Sequence, residues 1–150
     1  MIQVCEMLYD KDEITPSEAE LISFDERYIE AYMDSYNMAF RPMREALNIK
    51  PYDWYADTEA IRAKAKDIFL LTEGERLIGS VACYGNEVDD LFVADDYKQK
   101  GYGRQILLWA IDHIRSQGHK DIVLHVAMWN SNALGLYKDT GFRITKTEDV

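Results

Sequence analysis

Leu91-Phe92-Val93-Ala94-Asp95-Asp96-Tyr97-Lys98-Gln99-Lys100-Gly101-Tyr102-Gly103-Arg104 holds the end of a strand, a short loop and the start of a helix in 14 residues. Beyond it, Ile106, Leu107, Ala110, Ile111 and Ile114 recur on one side of a helical pattern that runs to Ser116 and ends at Gly118. The N–H groups of a first helical turn have no intrahelical partner, and the helix dipole is positive there. Glycine lets a ligand approach that backbone closely. Lys98, Lys100 and Arg104 add three positive charges, and no acid occurs from Tyr97 to Ile111 in a chain of net charge −10. These features together suit a phosphate or pyrophosphate. The stretch is not a P-loop, because no G-K-[ST] follows. It is not the dinucleotide G-x-G-x-x-G either, since Ile106 stands at the third glycine position.

Working outward, the preceding residues read as strands. Ile68–Thr72 and Arg76–Tyr84 are separated by Glu73-Gly74-Glu75, and Gly85-Asn86 leads into Glu87–Ala94. Downstream, Ile122–Met128 reads as a buried strand, Ser131–Thr140 as a helix closed by Gly141, and Phe142–Thr147 as a last strand. Upstream, Ile2–Tyr9 can form a first strand. Thr15-Pro16-Ser17-Glu18 and Ser23…Glu26 both carry capping-box spacing. A helix spans Phe24 to about Phe40, with Pro42 expected to break or restart it. Its Met and Tyr residues read as core, with one or two lining a cleft. Asn48–Trp54 reads as a loop and Asp57–Lys66 as a short helix. A meander followed by strand–helix–strand–helix–strand implies a single α/β (α+β mixed) domain over residues 1–150, with one mixed, mostly antiparallel sheet flanked by helices.

Composition bounds the function. A chain of 150 residues with 47 % apolar content can bury a core without staples. Cys5 and Cys83 lack C-x-x-C spacing, which suits a reducing, cytoplasmic setting. No apolar run approaches the ~18 residues of a spanning helix, and no signal-peptide pattern opens the chain. The net charge argues against nucleic-acid backbones as partners. No metal-ligand spacing involves His113 or His119.

Asn130-Ser131-Asn132-Ala133-Leu134-Gly135-Leu136-Tyr137-Lys138-Asp139-Thr140-Gly141-Phe142 matches N-x-x-A-x-x-L-Y-x-x-x-G-F at every specified position. Lys98-Gln99-Lys100-Gly101-Tyr102-Gly103 stands where [RQ]-x-x-G-x-[GA] is expected after an apolar-x-Val strand end, with Lys98 in place of Arg or Gln. In this order and spacing, the chain over roughly residues 68–143 resembles the GNAT superfamily of acyl-CoA-dependent N-acyltransferases. The resemblance implies acetyl-CoA as co-substrate, no metal, and direct attack of an amine on the thioester in a ternary complex. Backbone groups of Leu91, Phe92 and Val93 would meet the pantetheine arm. The Lys98–Gly103 backbone, with Gln99, Lys100 and Tyr102, would cradle the pyrophosphate beside Arg104. Asn130 would contact the pantetheine or adenine side. Tyr137 would protonate the leaving thiolate, and a backbone N–H near Val93 would polarise the carbonyl.

An arriving amine is protonated, so a base is needed. Glu87 matches the base position of the superfamily's histone acetyltransferases. Asp89 and Asp90 follow on that strand and are expected on opposite faces. His125 matches the position where ribosomal-protein N-terminal acetyltransferases carry a Glu. Cys83 as an acyl carrier lacks an evident His partner. Residues 1–60 hold 14 acids and 5 bases, a net of −9, against −1 for the remainder. In the family the N-terminal helices form much of the acceptor side, so an acid-lined entrance and a cationic amine are expected. A polyamine, an aminoglycoside-like amine, or a basic peptide end or lysine would fit, acting on a monomer or homodimer. The rival from another class is a non-catalytic acyl-CoA-binding sensor or partner module.

Overall fold

Gly74 and Gly85 both take a φ of 60°, a left-handed conformation that costs glycine little, and they close the two expected hairpins. The computed structural model describes residues 2–150. It joins β3 (Ile68–Glu73), β4 (Arg76–Tyr84) and β5 (Glu87–Val93) there, with a short β2 (Ile22–Ser23) on the outer side of β3. β6 (Ile122–Ala127) runs parallel to β5. β1 (Gln3–Tyr9) and β7 (Arg143–Asp149) complete a seven-stranded sheet in the order β2-β3-β4-β5-β6-β1-β7. This is the expected mixed, mostly antiparallel sheet flanked by helices.

The sequence pattern does not reveal where β1 goes. It lies between the two last strands, antiparallel to both, with Glu6 opposite His125 on one side and Lys146 on the other. Its alternation fits that slot: Cys5, Met7 and Tyr9 are buried while Val4, Glu6 and Leu8 are partly exposed.

Helices cover the sheet unevenly. α3 (Tyr102–Ser116) and α4 (Ser131–Thr140) lie on one face, where Ile106, Leu107, Ile111 and Ile114 join Met7, Val81 and Leu124 in one core. On the other face α1 (Ile29–Ala46) and α2 (Glu59–Lys64) pack Tyr32, Tyr36 and Ile61 against Leu70, Leu77 and Phe92 in a second core. That second core borders β3–β5, and its members include none from β6, β1 or β7.

Three local expectations are corrected. Thr15–Glu18 starts no helix; the Ser17 hydroxyl accepts from Ala19 N–H at 3.0 Å and donates to the Gln105 carbonyl at 2.8 Å, tying an irregular segment to α3. Ser23 lies in β2, and Asp25 instead caps a single 3₁₀ turn by accepting from Arg27 N–H at 3.0 Å. Pro42 lies inside α1, which continues through it. The carbonyl that Pro42 leaves without a helical donor belongs to Met38, which is exposed, so water can satisfy it.

One irregularity shapes the site. Ala82 opposes Asp89 and Ser80 opposes Phe92, so Asp90 and Leu91 face one residue of β4. Asp90 takes a φ of 51° at this bulge, a conformation Asp tolerates better than most residues. The extra residue reverses the alternation. Val88 packs with the α3 core and Phe92 with the α1 core, although both are even-numbered.

Candidate functional site

β5 and β6 pair only at Glu87 and Val123. Beyond that point the strands part, and the facing edge of β5 has no ladder partner. A cleft of about 680 Å³ occupies the gap. It is lined by β5, the loop and first turn of α3, the start of β1, the end of β6, α4 as far as Tyr137, and the C-terminal half of α1.

On one wall the working groups are backbone. Gly101 has a φ of 85° and Gln99 one of 62°, so the chain makes a tight left-handed passage into α3. No acid lies in the first turn of that helix, and its leading N–H groups are available to an anion. The three glycines here have different reasons to be glycine. A Cβ at Gly79 would come within 2.6 Å of the Phe92 carbonyl oxygen, so packing requires its absence. Gly101 requires its φ. At Gly103 a Cβ would lie 3.7 Å from Leu136 and 3.8 Å from Val93, ordinary contact distances, and the backbone is not left-handed. Neither packing nor conformation requires a glycine at Gly103.

Leu91, Phe92, Val93, Lys98, Gln99, Gly101, Tyr102, Gly103 and Asn130 all line the cleft. Lys98 pairs with Asp95 at 2.7 Å. Lys100 lies over the Tyr97 ring at 5.7 Å, and Lys100 and Arg104 are exposed outside the cleft lining. Asn130 caps α4, accepting from Ala133 N–H at 3.2 Å, so it has a structural task whatever it does for a ligand.

The bulge places both Asp89 and Asp90 in the cleft, which corrects the expectation of opposite faces. The Tyr36 hydroxyl donates to Asp90 at 3.0 Å, and the Asp89 carboxylate accepts from Asp90 N–H at 2.8 Å. Burial, then the neighbouring Asp89 charge, push the Asp90 carboxyl up to about 6. Asp89 is exposed as a residue, yet desolvation of its carboxyl also raises it from its ordinary value. Behind Asp90 the hydroxyls of Tyr32 and Tyr55 are buried without a hydrogen-bond partner among the described residues. Tyr137 also lines the cleft, and burial, with the Asp89 charge, pushes its phenol up to about 12.

The other base candidates form a separate pair. Glu87 meets His125 Nδ1 at 2.8 Å, and His125 Nε2 lies 3.6 Å from Glu6. His125 reaches the cleft, but Glu87 is outside its lining. Cys83 is buried, lies outside the cleft, and is pushed up to about 12 by burial and the charge of Asp67. Among the described residues no cluster of three His, Cys, Asp or Glu could hold a metal ion.

The match to an acetyltransferase (GNAT) family model covers residues 26–142. The chain belongs to the GNAT acetyltransferase family. A mycothiol acetyltransferase from Corynebacterium glutamicum is 25 % identical over 103 residues, covering 65 % of this chain and 32 % of that protein. An uncharacterised N-acetyltransferase from Methanocaldococcus jannaschii is 25 % identical over 135 residues, covering 82 % of this chain and 56 % of its own. A GNAT acetyltransferase structure from Colwellia psychrerythraea superposes with a TM-score of 0.77 at 12 % identity, covering 97 % of this chain and 53 % of that one. The chain therefore spans about a third of the length of the corynebacterial relative.

For a GNAT chain, the wall opposite the glycine loop was the harder one to read. Tyr36, Phe40, Met43 and Leu47 line it; one or two Met or Tyr residues of this helix were expected to line a cleft, but Met43 and Leu47 fall beyond its expected end near Phe40. Their spacing of four, three and four residues was visible as one helix face. What hid Met43 and Leu47 was Pro42, expected to break or restart the helix. The acidic first 60 residues contribute no Asp or Glu to the lining. Its acids are Asp89 and Asp90, and its bases are Arg44 and Lys98, with His125 besides.

Proposed function

We propose that the protein is an acetyl-CoA-dependent N-acetyltransferase that acetylates a primary amine by direct attack in a ternary complex. The observation that carries this reading is the joint presence, in one cleft, of the Gly103 approach, a raised Asp90 carboxyl and Tyr137. Acetyl-CoA supplies the activated acyl thioester. Backbone N–H groups at the start of α3 hold its pyrophosphate, and the open edge of β5 from Leu91 to Val93 takes the pantetheine arm and polarises the carbonyl. Asp90, held by Tyr36, accepts the proton of the incoming ammonium, directly or through one water. The amine nitrogen bonds the carbonyl carbon, the C–S bond breaks, Tyr137 gives its proton to the sulfur, and the second nitrogen proton, released as the amide forms, returns through water to the Tyr137 oxygen. Asp90 is preferred to Glu87 because it lines the cleft and is not engaged by His125.

The sign of the pH dependence follows from the raised carboxyl. A base with its midpoint at about 6 is protonated and idle below that pH. kcat/KM, which reports the free enzyme, should therefore fall about tenfold per unit below pH 6 in the wild type. Asp90→Asn should abolish that limb and lower kcat by about 10²–10⁴ with coenzyme A affinity kept. An acid limb that survives Asp90→Asn assigns the proton to another group. Coenzyme A binding with no transfer to any amine gives the binding module instead.

A further inference from the structure

We infer that the acceptor is a primary amine carried on an unbranched apolar body about 10 Å long, rather than a polyamine, a sugar amine or a basic peptide. This rests on the acetyltransferase reading and deepens it. Tyr36, Phe40, Met43 and Leu47 fall on one face of α1 and all line the cleft. The face starts at the Tyr36–Asp90 hydrogen bond, where the amine must arrive, and runs outward. From Phe40 to Leu47 the rise is about 10 Å at ~1.5 Å per residue.

The helix then ends in a way that lengthens this apolar wall. Asn48 takes a φ of 52°, its N–H donates to the Glu45 carbonyl at 3.2 Å, and Ile49 N–H donates to the Arg44 carbonyl at 2.8 Å. This paired closure turns the chain back on the helix and brings Ile49 into the same lining. Phe40 packs at the edge of the second core, but Met43, Leu47 and Ile49 belong to neither core. They are half-buried apolar groups that the fold does not need for its own packing. Opposite, the sheet contributes Val4 and Ala127, paired across β1 and β6.

Charge gives the polarity of the ligand. The acids of the lining, Asp89 and Asp90, are at the inner end of this helix face. At the outer part is Arg44, whose guanidinium donates to the Pro51 carbonyl at 3.0 Å and stacks on Trp54 at 4.7 Å. One ammonium is therefore matched at the bottom. A second one, further along the ligand, would be buried among Phe40, Met43 and Leu47 and then meet a fixed cation.

Two amine series separate the alternatives, with thiol release as the rate and calorimetric amine binding in the presence of coenzyme A as a second readout. One is linear alkylamines from two to twelve carbons; the other is α,ω-diamines of equal length. For the alkylamines kcat/KM should rise about fourfold per methylene and level off near 10 Å. Diamines of equal length should be at least tenfold worse, in binding and in rate. Met43→Glu places a carboxylate in the apolar wall and should cut the alkylamine-to-diamine ratio roughly tenfold. Transfer with diamines or spermidine preferred, a flat chain-length series, or a peptide α-amine preferred to every alkylamine overturns this inference alone. Coenzyme A binding with no transfer to any member overturns the acetyltransferase reading and this inference with it.

Discussion

The two walls of the cleft are built from different materials. On the glycine-loop side the groups proposed to bind the cofactor are peptide N–H and C=O groups, and the sequence contributes mostly by omission. Gly103 leaves room, Gly101 permits a turn, and no acid intrudes in the first turn of α3. On the α1 side the working groups are side chains at helical spacing, and any residue of similar size and polarity would serve. A backbone-built site tolerates few residue types at few positions, so it leaves a motif. A side-chain-built site leaves only a periodicity, which is shared with every buried helix.

Tyr137 crosses that division, because it is a side chain fixed within the backbone-built side. Tyr137→Phe keeps the ring against Phe142, 6.1 Å away between centroids, and removes only the hydroxyl. It should lower kcat by about 10²–10⁴, the largest effect expected here from so small a change, with coenzyme A affinity nearly unchanged. Equal kcat in the two proteins, with chemistry shown to be rate-limiting, would strip the leaving-group role from Tyr137 and leave the wall purely a binding surface.

The glycines sharpen the same contrast at a smaller scale. Gly103→Ala meets only ordinary contacts in the protein and gains helix propensity, so thermal stability should hold or rise by about 0.5–1 kcal/mol. Coenzyme A should nevertheless bind about tenfold more weakly, a change of ~1.4 kcal/mol. Gly79→Ala should do the reverse and destabilise the fold, since its methyl would press on the Phe92 carbonyl oxygen at 2.6 Å and on Ile106 at 2.7 Å. A Gly103→Ala protein that loses stability but not affinity would place that glycine among those the fold needs.

Legibility in the sequence followed the same line. The hairpins at Gly74 and Gly85, α3, β6 and α4 were all readable, because each is local and punctuated by glycine or by period. The position of β1 was not, since nothing in Gln3–Tyr9 says which distant edges it will join. The bulge at Asp90 was invisible for a related reason. Strict alternation is the only signal a strand offers, and a single extra residue reverses it without leaving a glycine as marker. Both acids of the site were therefore named from the sequence, but their common orientation was not. Pro42 was a true signal given too much weight, because a proline on the exposed face of a long helix removes a hydrogen bond that water replaces.

The smallest expected effect concerns the charge imbalance. Had the acids of residues 1–60 lined the cleft, a cationic acceptor would be concentrated there at low salt, and kcat/KM would drop steeply as salt rose. The structure places that charge elsewhere. Glu30, Asp34 and Glu45 are exposed residues of α1 outside the cleft lining. Others are partnered on the surface: Asp10 with Arg143 at 3.0 Å, Glu26 with Arg62 at 2.6 Å and Asp53 with Arg41 at 2.8 Å. Such pairs project little field beyond their own neighbourhood, and of the two bases that line the cleft with Asp89 and Asp90, Lys98 is itself paired with Asp95. Raising the ionic strength from ~0.01 M to ~0.15 M shortens the Debye length from ~30 Å to ~8 Å. Across that range kcat/KM for a monoamine should change by less than about twofold, with kcat constant, because the ammonium's proposed partner, Asp90, is a half-buried carboxyl held by Tyr36, where salt screens less than at an exposed group. A tenfold fall would mean that the acidic surface does steer the acceptor, and would move the source of cation preference from Asp90 to the outer face of α1.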